Sequence, residues 1–263
     1  MSLIGEKRKQ IILERVEQEG QISTSSFAEE MNVSTETIRQ YLDELEAENK
    51  LKKVYGGAVK AARYQEEPPF RISAISHLAE KTVIAQEAAR LIGDNDIVIL
   101  DEGGTAYKLA EQIVRKKNLT VVTPSLSILS FLVEMELKKV FDGKIVLVGG
   151  VVDSLHDRVA GPMAEEFLQP LYAQKAFISA EGVDLEGGIT AFDSEKAVLS
   201  RRLIGHAQEK YVLADHFKLG NRSFFKICGF AEISGVVCDR VPSQKWLQQM
   251  KKDQTRWFAP QQP

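Results

Sequence analysis

ISTSSFAEEMNVSTETIRQYLDELEAENKLKKVYGG, from Ile22 to Gly57, decides the fold of the first quarter of this chain. Two helical segments flank Asn32-Val33, and a short basic segment follows that ends in paired glycines. Ser23 and Ser34 stand where a side-chain oxygen caps a helix, and Glu36 follows near the positive end of the second helix dipole. Phe27, Ala28 and Met31 face inward from the first helix. Ile38, Leu42 and Leu45 are spaced i, i+4, i+7. They form the buried stripe of the second helix and turn Glu36, Arg39 and Gln40 outward. Leu51 to Tyr55, Gly56-Gly57 and Ala58 to Lys60 read as two strands around a glycine turn. Upstream, residues 6–19 form another helix, with Ile11, Ile12 and Val16 on its apolar face and Gly20 at its end. The pattern is a winged helix-turn-helix, whose partner is double-stranded DNA. Thr35, Thr37, Arg39 and Gln40 are expected in the major groove, with Arg39 or Gln40 reading base edges. Tyr41 is read as a phosphate contact in preference to a half-buried neighbour of the wing. Lys52, Lys53 and Tyr55, with the Gly56-Gly57 turn, are expected to hold the DNA backbone or probe the minor groove.

Charge alone does not point to nucleic acid. The 263 residues carry a net charge of −3, with 44% hydrophobic and 27% charged residues. Residues 1–64 hold 10 Lys+Arg against 11 Asp+Glu, a net of −1. DNA affinity must come from local cations such as Lys50, Lys52, Lys53 and Lys60. No apolar run approaches the roughly 18–20 residues that span a bilayer, and the first residues lack the apolar core of a signal peptide. A cytoplasmic protein with no membrane partner is expected. Cys228 and Cys238 offer neither CxxC nor zinc spacing, and the four histidines show no metal-ligand spacing, so no metal or cofactor is expected.

Residues 61–80 read as a connector, broken by Gln65-Glu66-Glu67-Pro68-Pro69. Beyond a helix from Ala79 to Ile92, short apolar runs alternate with helical segments: Ile97–Leu100, Leu119–Thr123, Ile145–Val148, Ala176–Ser179, Tyr211–Ala214 and Val236–Cys238. Strands buried on both faces and alternating with helices make residues 81–263 an α/β domain with a mostly parallel sheet, beside the small winged helix-turn-helix of residues 1–60. The tail from Trp246 is expected to be a docked helix followed by a loose end. Ligands of such sheets bind in the loops at the strands' carboxyl ends. Asp101, Gly103, Gly104 and Thr105 leave a strand and open a helix, which suits a phosphate as well as it suits a tight turn. Ser125, Gly149, Gly150 and Lys218 stand in comparable places, each with a structural reading: an N-cap, a close backbone approach, a solvated lysine. Asp101, Glu181 and Asp215 each follow a strand. They are read as hydrogen-bonding ligand hydroxyls or capping loops, and no catalytic residue is expected: HExxH, GxSxG, the phosphate-loop GxxxxGK[ST] and GxGxxG are all absent from the sequence.

These residues resemble the DeoR family of bacterial transcriptional regulators along nearly the whole chain. Val33-Ser34, Thr37-Ile38-Arg39, Leu42, Leu45 and Val54-Tyr55-Gly56-Gly57 match its DNA-binding block. Leu100-Asp101, Gly103, Thr105, Val121-Val122-Thr123 with Ser125, Gly149-Gly150, Gly161-Pro162, Gly182-Val183-Asp184, Glu195 and Leu213-Ala214-Asp215 with Lys218 match its sensor domain. That domain is akin to ribose-phosphate isomerase in fold. The resemblance implies a homo-oligomeric repressor, dimer or tetramer, of a sugar or polyol operon, released by a phosphorylated sugar. An isomerase-like enzyme with an accessory DNA domain and an activator are the rival readings. The chain departs from the family habit at Gln40-Tyr41 (usually Arg-Asp), at Gly104 (a threonine), at Pro124 (an asparagine) and at Ser200 (a lysine). It also carries Glu181 where a small serine is frequent; an acid there repels phosphate but accepts hydrogen bonds from sugar hydroxyls.

Overall fold

The computed structural model describes residues 3–19, 21–48, 50–54, 56–60, 67 and 69–260. The chain divides into two compact units, residues 1–65 and 66–263.

In the first unit, α1 (Leu3–Glu19), β1 (Gln21–Ser23), α2 (Thr24–Glu30) and α3 (Thr35–Ala47) precede a hairpin of β2 (Leu51–Val54) and β3 (Gly57–Lys60). The core is Ile12, Val16, Phe27, Ala28, Ile38, Leu42, Leu45 and Leu51, all buried. Ile11, expected on the apolar face of α1, is exposed, because the buried face follows Ile12 and Val16 at helical spacing. Asn32 takes the left-handed conformation (φ 50°) that lets the chain turn between α2 and α3. Ser34 caps α3, its Oγ accepting the Thr37 N–H at 3.1 Å. Ser23 occupies the corresponding place on α2 but makes no cap bond; its hydroxyl meets that of Ser25 at 3.0 Å. The wing has an extra strand, since β1 pairs antiparallel with β3. That pairing explains the second glycine: a Cβ on Gly57 would stand 1.9 Å from the Ile22 carbonyl oxygen. Gly56 has φ 84°, a conformation cheap only for glycine.

The second unit opens with α4 (Phe70–Ile75) and α5 (Leu78–Ala89), followed by β4 (Ile97–Leu100), α6 (Gly104–Ile113), β5 (Thr120–Thr123), α7 (Leu126–Leu137) and β6 (Lys144–Leu147). The hairpin β7 (Val151–Asp153) and β8 (Arg158–Ala160) leads through α8 (Pro162–Leu168) to β9 (Ala173–Ser179). Then come β10 (Gly182–Asp184), β11 (Gly188–Ala191), α9 (Ser194–Gly205), β12 (Ala207–Leu213), β13 (Phe225–Cys228), β14 (Gly235–Val237), α10 (Gln244–Lys252) and β15 (Arg256–Phe258). The main sheet has seven strands in the order β15-β14-β12-β9-β4-β5-β6, and every neighbouring pair is parallel. Alternate strand residues face two separate cores. Ile99, Ala176, Ile178 and Val212 pack with α8, α9 and α10; Val98, Leu100, Phe177, Tyr211 and Leu213 pack with α5, α6 and α7. This double burial is why the strands read as unbroken apolar runs.

Two expectations need correction. The connector does not run to residue 80: α4 lies so close to the start of α6 that a Cβ on Gly104 would meet Ala74 Cα at 2.9 Å. Nor is the tail loose after α10. Residues 256–258 form β15 and extend the sheet beside β14, and the Trp257 indole N–H donates to the Arg240 carbonyl at 2.9 Å. The thiols of Cys228 and Cys238 are free, buried, and pushed up to about 12 by that burial.

Candidate functional site

On α3 of the first unit, Thr35, Arg39 and Gln40 are exposed, while Thr37 is half-buried and turns its hydroxyl to Ser34 Oγ at 2.8 Å. Three of the described cations near α3 and the wing are already held by acids. Arg39 pairs with Glu36 at 3.1 Å, Lys50 with Glu48 at 2.7 Å, and the Lys53 ammonium with Asp43. Gln40 Nε2 reaches Glu44 Oε1 at 3.4 Å. Exposed pairs of this kind are worth about 0–1 kcal/mol, so phosphate can displace the acid, but each exchange lowers non-specific affinity. Tyr41 is only partly turned outward. It packs on the unit's core, with its hydroxyl 3.6 Å from where a Cβ on Gly5 of α1 would stand. Tyr41 is half-buried, its ring packed toward α1, since residue 41 lies beside the Ile38–Leu42–Leu45 stripe. Gly56 and Gly57 form the wing turn. Tyr55 and the side chain of Lys52 lie outside the described residues.

In the second unit, strand order reverses between β4 and β9: β5 and β6 continue one way, β12, β14 and β15 the other. A crevice forms at such a switch point, beyond the strands' carboxyl ends. Asp101 follows β4, Ser179 and Glu181 stand at and after the end of β9, and Asp215 follows β12, so three adjacent strands deliver the acids together. Gly103, with φ 105°, precedes α6, and a Cβ on it would stand 3.1 Å from Ser179 Oγ. Lys81 of α5, buried, bonds the Ser73 carbonyl, and its Nζ stands 3.3 Å from where a Cβ on Gly104 would be. A threonine at 104 would collide with α4 and Lys81. The Lys218 ammonium bonds the Ala180 carbonyl. Lys196 of α9 pairs with Glu102 and lies 3.6 Å from Glu181. Arg158, 2% exposed, binds Glu67 at 2.6 Å, Asp193 at 3.2 Å and Asp153 at 3.4 Å. Ser200 donates to Asp101 Oδ2 at 2.8 Å.

Five buried side-chain polar atoms among the described residues have no hydrogen-bond partner: Asp101 Oδ1, Arg158 Nε, Ser179 Oγ, Glu181 Oε2 and Asp215 Oδ1. Four of them belong to the strand ends flanking the switch point. Buried polar atoms are normally paired, so their collection here marks a surface shaped for a ligand's donors. The charges are strained to match. Burial pushes Glu181 up to about 8, with Glu67 and Asp101 adding to the rise and Lys218 and Arg158 opposing it. Burial also raises Asp101, against the Lys196 charge and the Ser200 hydrogen bond. Lys81 is pushed down to about 8 by burial and then by the neighbouring charge of Lys218. Two ammonium groups close enough to repel, one of them beside the N–H groups that open α6, form a place for an anion.

Not every expected residue joins this group. Ser125 caps α7, accepting the Ile128 N–H at 3.3 Å, and meets Asp157 Oδ2 at 3.3 Å. Gly150 is a close approach: a Cβ there would lie 2.9 Å from the Ala160 carbonyl oxygen and 3.0 Å from the Ala164 Cβ. Gly149 precedes it, near Phe167. For Ser125 and Gly150 the structural reading accounts for the residue; at Gly149 the packing leaves room for a side chain. Glu67, Lys81, Glu102, Arg158, Ser179, Lys196 and Ser200 escaped the sequence reading. A signal existed for two of them. Lys81 shares a helical face with Ile84, Ala85 and Ala88, and Lys196 with Leu199, Ser200 and Leu203, all buried. A lysine inside an apolar stripe needs a partner.

Residues 76–240 match the DeoR C terminal sensor domain, and residues 8–63 match the DeoR-like helix-turn-helix domain. The chain belongs to the DeoR family. It is 32% identical over 233 residues to the uncharacterized HTH-type transcriptional regulator YulB of Bacillus subtilis, covering 89% of this chain and 88% of that protein. It is likewise 32% identical over 235 residues to the lactose phosphotransferase system repressors of Staphylococcus epidermidis and Staphylococcus aureus, covering 89% of this chain and 92% of each. Ribose 5-phosphate isomerase A from Methanocaldococcus jannaschii overlaps 55% of each chain at a TM-score of 0.39 and 18% identity, a likeness too loose to carry chemistry. Among the described residues no helix is long and apolar enough to cross a membrane.

Proposed function

We propose that this DeoR-family regulator represses a carbohydrate operon. Its first unit holds operator DNA through α3 and the wing, and its second unit binds a phosphorylated sugar or polyol that lowers operator affinity. The observation that carries the ligand half is the set of unpartnered buried oxygens on Asp101, Ser179, Glu181 and Asp215 beside the Lys81–Lys218 pair. The phosphate rests on the N–H groups of Gly103 to Thr105 with both lysines, and Asp101, Glu181 and Asp215 accept the hydroxyls. The repressor relatives named for a lactose phosphotransferase system support a sugar effector. Relatives that regulate transcription favour binding over turnover, so the three acids act as hydrogen-bond acceptors and not as an acid/base set. The protein works as a cytoplasmic homo-oligomer and needs no cofactor. Ligand releases DNA only if it prefers the low-affinity arrangement. Calorimetry with inorganic phosphate and a panel of sugar phosphates tests the site. Lys218→Ala is expected to weaken binding about tenfold or more; unchanged affinity removes Lys218 from it.

A further inference from the structure

The ligand site has two electrical poles. At one, Lys81 stands beside the first turn of α6, and Lys218, bonded to the Ala180 carbonyl, lies between the poles, its charge acting on both Lys81 and Glu181. At the other, carboxylates outnumber cations. Glu67, Glu102, Asp153, Asp193 and Glu181 share Arg158 and Lys196, with His156 serving Asp153 at the edge. Asp101 adds a further acid, fully buried, held from below by Ser200 and by the Ser179 N–H. Its Oδ1 is unpartnered, as are Glu181 Oε2 and the Ser179 hydroxyl, which is 5% exposed. These three atoms come from the ends of neighbouring strands, β4 and β9.

Neutral sugar hydroxyls would give these oxygens hydrogen bonds but would leave Glu181 and Asp101 holding the protons that burial favours. An ammonium group supplies donors and charge together, and a charged hydrogen bond is roughly twice as strong as a neutral one. A metal ion is the other way to balance acids, but among the described residues no group of three or more His, Cys, Asp or Glu is arranged to hold one. We infer that the ligand is a phosphorylated amino sugar, its phosphate on Lys81, Lys218 and α6, its ammonium between Glu181 and Asp101. The inference rests on the phosphate-binding reading above and adds the second charge. The family's frequent serine at position 181 has no carboxyl for an ammonium to ionise, so Glu181 becomes the residue that sets the preference.

Calorimetry on the full chain tests it with matched sugar 6-phosphates: glucose with glucosamine, galactose with galactosamine, mannose with mannosamine, and each N-acetyl form, which keeps the nitrogen but loses the charge. Inorganic phosphate is the control. In at least one set the amine is expected to bind about tenfold or more tighter than its neutral and N-acetyl partners. That ratio should collapse toward one in Glu181→Gln and fall in Asp101→Asn, with folding of both variants confirmed by tryptophan fluorescence. Neutral and amino members binding equally in every set, with phosphate still bound, overturns the inference and leaves the phosphate site standing. If inorganic phosphate and all the sugar phosphates fail to bind, the phosphate reading falls and the inference with it.

Discussion

Replacing Glu181 with glutamine should make the second unit more stable at neutral pH. The carboxyl is pushed from 4.5 up to about 8, chiefly by burial. Below pH 4.5 folded and unfolded chains both carry the proton. Between 4.5 and 8 the folded state keeps it while the unfolded state releases it, so stability falls as pH rises. Above 8 both states are ionised and the slope vanishes. For one group with this shift, wild type loses roughly 3–4 kcal/mol between pH 5 and pH 8 that Glu181→Gln retains. The raised Asp101 contributes in the same direction in both proteins. Trp246 and Trp257 are the chain's two tryptophans, and both lie in the second unit, so urea unfolding followed by their fluorescence reports this unit alone. The stability difference between variant and wild type should grow steadily over that pH window. Parallel curves would refute the argument that Glu181 is buried without compensation.

Other perturbations probe the remaining joints. Lys81→Met should weaken inorganic phosphate binding about tenfold or more. Because Lys81 is pushed down to about 8, wild-type phosphate affinity should fall as pH rises from 8 to 9 while the variant's does not. Gly57→Ala puts a methyl 1.9 Å from the Ile22 carbonyl and should part β1 from β3, costing about 1–3 kcal/mol and abolishing operator binding. The tryptophan signal should not change; an intact gel shift would show that the extra wing strand is dispensable. Asp43→Asn frees Lys53 and should tighten DNA binding by about 0.2–1 kcal/mol. The salt dependence should steepen by up to about one phosphate contact, and an unchanged slope would place Lys53 off the DNA.

The sequence makes local patterns legible and leaves distant ones hidden. The stripe Ile38, Leu42, Leu45 and its Ser34 cap fall within three turns of one helix, and they appear as read. The five central strands are legible because both their faces are buried, and β6, at one edge, because its run Ile145-Val146-Leu147 is still apolar. Other strands at the margins are not: β7 is mostly exposed, and β15 is three residues with an arginine first. The acid loops after β4, β9 and β12 follow from where apolar runs stop. Their cations do not. Arg158 and Glu67 are 91 residues apart, and Lys196 and Glu102 are 94 apart; only the tertiary fold brings each pair together. Tyr41 lies beside the stripe on α3, but its packing toward α1 depends on the tertiary fold.

The central claim is that one unit holds DNA and the other decides when to let go. The direct measurement is fluorescence anisotropy of the full chain on DNA upstream of its own and neighbouring genes, repeated with phosphorylated sugars and their amino counterparts at fixed salt. Tight binding to one such fragment and its release by one phosphorylated compound are expected, with release lost in Lys218→Ala. Tight binding that none of the compounds disturbs would contradict the claim.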